Sequence, residues 1–329
     1  MGQSMIDPAV ERMTTGGFAY PLGVYPVEAH TPREGYAVAF EPADGGEEPG
    51  DWEEWPDRYV YDIVISATRL RAFLRSLFAL LPARIYPILD ILGSDAYREI
   101  DPYIAYDLVG FDRFLEGVRR HGAWLYEDGM VGFGAMCDEP FVYVYVDEHK
   151  VVTVRVETAL RERVERVLEA FDLSAGVEEG GVDAVAHEHR GVLLCPPERP
   201  DLLTGEEVIE ELADLWRLRL NVDRERNLDD DGRDLGTTGW RCLVRRQRAE
   251  GSPIDYAEAV IAAGSLDEAE TLALDAALSE ADGPGPDDQW PRAQLVQADR
   301  VTPEQLAQLL GEAADLDASR VLAIRWLVR

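Results

Sequence analysis

Residues 59–92 read YVYDIVISATRLRAFLRSLFALLPARIYPILDIL, and within this stretch the hydrophobic period changes twice. Residues 59–67 carry Val60, Ile63, Val64 and Ile65, the β-branched content of a strand. Beyond them the large apolar residues recur as Leu70, Phe73, Leu74, Leu77, Phe78 and Leu81. Spacings of three and four put these side chains on one stripe of a helix. Thr68 stands where an N-cap is wanted, and Pro82 lacks the N–H that would continue the helix. Residues 83–92 return to a mostly apolar strand. The segment predicts a β-α-β start whose two strands are able to pair in parallel.

Working outward, Gly110 precedes a second amphipathic stretch, 111–121, with Phe111, Phe114, Leu115 and Val118 on one face and Gly122 as its terminator. Short β-prone runs follow at 123–126, 130–136, 141–147 and 151–156. Asp128-Gly129 and Glu148-His149-Lys150 fall between them where hairpin turns belong, which predicts an antiparallel meander. A helix is expected over 158–171, and a strand over 182–194.

The proline-dense run Cys195-Pro196-Pro197-Glu198-Arg199-Pro200 reads as a connector. After it come a helix near 204–216, a strand through Leu220 and Val222, strands at 240–246 and 256–262, and a helix capped by Ser265 with Glu268 completing a capping box. A strand at 293–297, a helix opened by Thr302-Pro303 and a last strand at 321–328 finish the chain.

The fold class expected is α+β: an N-terminal mixed sheet with an antiparallel meander and packed helices, followed by a smaller C-terminal α/β-sandwich-like domain with helices on one face. The organisation expected is an irregular acidic arm over 1–58, an N-terminal α+β domain over 59–175, a connector over 176–203, and a C-terminal α+β domain over 204–329. Two tracts rich in Gly, Pro and carboxylates, 41–51 and 283–286, read as loops. Trp52 and Trp55 are expected to pin the arm to the first domain.

The chain has 329 residues, 64 acidic against 32 basic, for a formal charge of −32. That balance argues against a broad grip on nucleic-acid phosphates. Lys150 is the single lysine, which removes a P-loop and disfavours Schiff-base chemistry. A GC-rich genome explains the arginine bias, and a saline habitat is a second reading of the carboxylate excess. Three widely spaced cysteines, Cys137, Cys195 and Cys242, suit buried thiols in a reducing compartment. With neither a signal-peptide pattern nor an uninterrupted apolar run of membrane length, the location expected is the cytoplasm.

Three clusters have residue types suited to chemistry. The first mixes carboxylates, tyrosines and an arginine: Asp95, Tyr97, Arg98, Glu99, Asp101, Tyr103, Tyr106 and Asp107. It is readable as an acid–base site, a partner surface, or simply the edge of the core. The second is His187-Glu188-His189, whose imidazoles share a face if the segment is a strand, as paired metal ligands do. His149 and Cys195 are conceivable third ligands. The third is the loop Asn227, Asp229, Asp231, Gly232, which matches the first half of a calcium loop but has Thr238 where a bidentate glutamate belongs.

Gly129, Gly132 and Gly134 lie among β-prone residues and read as close-packing positions rather than a phosphate loop. Arg69, Arg71 and Arg75 share one helix and are expected to pair with nearby carboxylates. The leading functional expectation is a non-enzymatic protein-protein interaction or regulatory module with a protein partner and no cofactor. The alternatives are a metal-dependent hydrolase using the His-x-His strand, with a divalent metal, and a calcium- or salt-responsive binding module.

Overall fold

The stripe Leu70, Phe73, Leu74 and Leu77 is wholly buried on α1 (Ala67–Phe78). Each such side chain contributes about 1.5–3 kcal/mol over its exposed state, which is why this helix is fixed by its tertiary face. Its N-cap is Ser66, two residues before Thr68. The computed structural model describes residues 3–43, 55–176, 181–196, 198–199, 201–247, 254–279 and 292–327. Mixed α+β architecture holds throughout. Among the described residues no helix is long and apolar enough to cross a membrane. The acidic tract from Asp44, Trp52 and the 283–286 loop lie outside the described residues. Trp55 packs on Phe141, ring centroids 5.3 Å apart.

The chain divides into two compact units, Met1–Leu92 with Pro102–Leu220, and Gly93–Asp101 with Asn221–Arg329. The first holds a sheet in the order Leu218–Leu220, Ile100–Ala105, Arg84–Leu92, Val131–Asp138, Phe141–Val146, Val152–Glu157, Arg58–Val64, Gly35–Glu41, with Val109–Gly110 also on Arg84–Leu92. From Arg84–Leu92 to Gly35–Glu41 every pairing is antiparallel. The meander is therefore present, but the strands flanking α1 do not pair. They run in the same direction, with the three meander strands between them. Hairpin partners close in sequence form at a lower loop-closure cost than a parallel neighbour across a helix.

Alternation fixes which side of the sheet is core. Val142, Val144, Val146, Val152, Val154 and Val156 are all fully buried, while Tyr143, Tyr145, Thr153 and Arg155 between them are partly exposed. Gly132 is needed because Tyr145 lies across it: a Cβ there would stand 2.2 Å from the phenol oxygen. α2 (Phe111–Glu127) runs past Gly122 through the residues expected as a strand, because Trp124, Leu125 and Tyr126 extend its buried face. His121 departs from helical geometry there and kinks it. α3 (Arg161–Ala170) and α4 (Gly205–Trp216) complete the layer. Val208, Leu212 and Trp216 of α4 are fully buried in the first unit's core, so this helix belongs to that unit and not to the C-terminal one.

Among the described residues of 1–58, where the composition reads as an irregular arm, lie the strands Thr14–Thr15, Phe18–Ala19, Val24–Pro26 and Gly35–Glu41. Phe18, Tyr20 and Val24 bury themselves with Val64, a long-range partner that a local window does not contain. The expected strand at 182–194 reduces to a 3-10 turn, Val182–Ala184, and the three residues His187–His189, paired with Val24–Pro26.

The second unit has four antiparallel strands in the order Arg292–Val301, Thr238–Gln247, Ile254–Ala263, Arg320–Leu327. α5 (Leu266–Ser279) lies on the face of Trp240, Cys242, Val244 and Arg246, since the Arg246 guanidinium donates to the Ala277 carbonyl at 2.9 Å. α6 (Pro303–Leu310) places Leu306 against Val260 and Val301 on the opposite face. Helices thus occupy both faces, where the element order alone suggested one.

Candidate metal centre

His187 and His189 alternate on a strand and share a face, and the hairpin turn after Phe141–Val146 delivers His149 to the same point. Nε2 of His187 lies 3.0 Å from Nε2 of His149 and 3.1 Å from Nε2 of His189. The three ring centroids are 4.8–4.9 Å apart with planes inclined by 69–79°. All three side chains are partly exposed.

Local structure holds each ring. The turn carrying His149 is closed by Asp147, whose Oδ1 accepts from the Val151 N–H at 2.7 Å and whose carbonyl accepts from Lys150 N–H at 3.1 Å. Lys150, buried and at φ 67°, donates its ammonium to the Val131 carbonyl. Burial lowers its pKa to about 8 against the pull of Asp128, Asp147 and Glu148. The His187–His189 strand is seated where Gly23 and Gly129 touch: a Cβ on Gly23 would stand 2.0 Å from the Gly129 nitrogen. Arg190 clamps the junction, donating its N–H to Gly23 and accepting from Gly129 N–H at 2.9 and 3.2 Å. Asp128 accepts from Met130 and Val192 N–H at 2.9 and 2.8 Å.

The far nitrogens decide the chemistry. His187 Nδ1 is 2.7 Å from the Val185 carbonyl and His189 Nδ1 is 2.6 Å from the Gly129 carbonyl. A carbonyl only accepts, so in each ring Nδ1 carries the proton and the neutral Nε2 presents a lone pair. His149 Nδ1 faces carboxylate oxygens of Asp147 at 3.4 Å and Glu148 at 3.3 Å, which fix the same tautomer. The His187 Nε2 lone pair therefore meets those of His149 and His189 within hydrogen-bond distance, with no proton between them in the neutral rings. A cation, or a proton on one Nε2, would relieve that juxtaposition of lone pairs.

Nitrogens bound at about 2.0–2.1 Å to one ion are about 3.3 Å apart in a tetrahedron and about 2.9 Å apart on an octahedral face. The two separations made by His187, 3.0 and 3.1 Å, fall between these limits, and all three ligand nitrogens lie within 4.8 Å of one another. Each ligand also has the outer hydrogen-bond partner that metal-bound imidazoles require. Burial and the two neighbouring imidazoles hold the His189 pKa below the usual value despite its bond to Gly129. Burial alone would do the same at His149, but Asp147, Glu148 and Asp183 outweigh it and raise its pKa. A proton on His149 Nε2 is thus the natural competitor for a cation, and it bridges only one pair of nitrogens.

Among the described residues two groups are close enough to share an ion: His149 with His187 and His189, and Asp147, Glu148 and His149. The sequence supplies the strand pair, while His149, 38 residues from His187, joins it only through tertiary pairing. Cys195 does not join. It is exposed, and its thiol meets the Leu203 carbonyl at 3.5 Å.

The acidic, tyrosine-bearing cluster is split between the units. Asp95 is buried under Arg300, whose Nε lies 3.0 and 2.9 Å from its two oxygens and whose backbone N–H donates at 2.8 Å. Arg98 holds Asp101 at 2.6 Å, Tyr97 lies 5.6 Å from the Arg300 guanidinium, and the Glu99 N–H donates to Asp230 at 3.1 Å. Nearby Asp299 is driven up to about 7, first by burial and then by Asp101 and Asp95. Tyr103 sits in the first unit's sheet, paired with Leu220, and Tyr106 is exposed.

The calcium-like loop uses its oxygens internally. Asn227 is buried, its amide donating to Gly236 and Thr238 and its oxygen 3.2 Å from the Arg300 guanidinium. Asp229 Oδ1 accepts from the N–H groups of Asp231 and Arg233 at 3.0 and 2.8 Å. Asp231 is exposed beside Arg233 at 3.5 Å. A guanidinium on the Asn227 oxygen occupies the place a cation would need.

Comparison with protein-family models, curated proteins and solved structures finds no match to this chain.

Proposed function

We propose that this protein is a metal-dependent hydrolase centred on His149, His187 and His189. The convergence of three Nε2 lone pairs, with every Nδ1 committed to an outer acceptor, supports this reading. Three imidazoles with a free coordination position are the ligand set of catalytic zinc sites, where the bound ion lowers the pKa of water toward neutrality. The protein's part is geometric. The strand fixes two rings, the hairpin turn fixes the third, and Asp147 and Glu148 keep the His149 Nδ1 proton in place, which makes its Nε2 a better donor of its lone pair. The partial exposure of the rings leaves the centre open to a substrate.

The interaction-module expectation rested on sequence motifs that are missing. A centre assembled from two distant segments has no local motif to miss. Elemental analysis of the purified protein tests the proposal, together with metal-dependent hydrolysis of p-nitrophenyl acetate. The expected result is about one equivalent of zinc or a neighbouring transition metal, lost in a His187→Ala/His189→Ala double variant, with ester hydrolysis lost on chelation and restored by zinc. Metal content unchanged in the double variant, or hydrolysis indifferent to chelation, would overturn it.

A further inference from the structure

A cavity of about 520 Å³ opens between α1 and α2. Its apolar lining includes Phe111, Leu115 and Tyr126, and its remaining contributors include three arginines, Arg71, Arg75 and Arg119. Arg69, on the same helix as the first two, pairs with Glu34 as the sequence suggested. The other two do not follow. Among the described residues Arg71 is placed only over the Tyr126 ring, 5.7 Å from its centroid, and none of the three has a carboxylate partner. Among the described residues no carboxylate lines this groove. Keeping three guanidinium groups unneutralised over an apolar floor, in a molecule of charge −32, creates a local anion preference against the overall field. The Debye length of about 8 Å at physiological salt confines that overall field, so the local charges govern at contact.

The size argues for a small ligand. The groove's volume falls within the range of about 300–1,000 Å³ typical of small-molecule sites. We infer that this groove binds a free medium-chain fatty acid, its alkyl chain on the aromatic floor and its carboxylate held by the arginine forks. Guanidinium groups match a carboxylate in shape as well as charge. The inference is independent of the metal centre.

Titration calorimetry with dodecanoate, kept below its micelle concentration, tests it on the full chain. Expected are saturation at one equivalent, much weaker binding of dodecanol, and affinity reduced about tenfold or more in Arg71→Ala/Arg75→Ala. Arg119→Ala should weaken it in the same direction, and the exposed positions of all three arginines should leave the melting temperature unchanged. Binding weaker than about 1 mM, or equal affinity in the arginine variants, would overturn the inference. So would retention on phosphatidylglycerol vesicles, or capture of an acidic amphipathic peptide, without binding of monomeric dodecanoate.

Discussion

Replacing His187 by alanine isolates the claim that three lone pairs await a cation. His187 is the ring shared by both short contacts, 3.0 Å to His149 and 3.1 Å to His189. Without it only two imidazoles remain at that point, and the carboxylates of Asp147 and Glu148 lie on the Nδ1 side of His149, away from its Nε2, so an ion there is held far more weakly in competition with protons. A ligand at a hundred times its Kd stabilises the folded state by about 2.7 kcal/mol. For a unit of about 200 residues, each kcal/mol raises the melting temperature by about 2–4 °C. Zinc at that excess should therefore raise the first unit's transition by about 5–10 °C in the wild type and by clearly less in His187→Ala. Metal-free, the variant loses the bond from Nδ1 to the Val185 carbonyl, worth about 1 kcal/mol, and the edge-on packing of its half-exposed ring against His149 and His189, so its own melting point should move by a few degrees. Differential scanning calorimetry with and without zinc reads both numbers. Because a proton competes for the same nitrogens, the zinc shift should shrink as the pH falls below the range of neutral imidazole. An equal zinc shift in both proteins, or no shift in the wild type with zinc, manganese, cobalt or nickel, would refute the reasoning.

Asp299 gives a pH-dependent test with a defined sign. Its folded pKa is about 7 against an ordinary value of 3.8, so the folded state holds the extra proton between these limits and stability falls as pH rises through them. Above pH 7 the cost is fully expressed, on the order of 4 kcal/mol at most; urea melts should show Asp299→Asn gaining on the wild type from pH 4 to pH 7 and no further beyond. Phe73→Ala removes a fully buried ring that meets Phe171 edge-on at 5.1 Å, and should cost about 3–5 kcal/mol in the same assay. Calcium should leave the melting temperature of the second unit unchanged, because the Asn227 oxygen already accepts from Arg300; a rise abolished by Asp229→Ala would contradict that assignment.

The readable parts of the sequence were those in which one element carries its own pattern. The α1 stripe, the meander valines, the helix starts near Thr204 and at Thr302-Pro303, and the His-x-His alternation all follow from periods of 3.6 and 2 or from helix-start signals. Their local hydrogen bonds and side-chain directions are set within a few residues. Gly122 misled because a glycine closes a helix only when nothing beyond it is buried, and Trp124 and Leu125 are. The first 58 residues misled because their strands find Val64, His187–His189 and Arg58–Val64 as partners far along the chain.

Sequence alone determined that this chain folds as α+β elements and that two imidazoles face one way, because side-chain direction on a strand is a property of the backbone. Only the tertiary structure decided that His149 meets them and that Asp95 lies under Arg300. It also decided that, among the described residues, Arg71 and Arg75 pair with no carboxylate. Those outcomes depend on which segments lie side by side, and that is settled by burial of apolar surface over the whole chain, to which each of these polar residues contributes little.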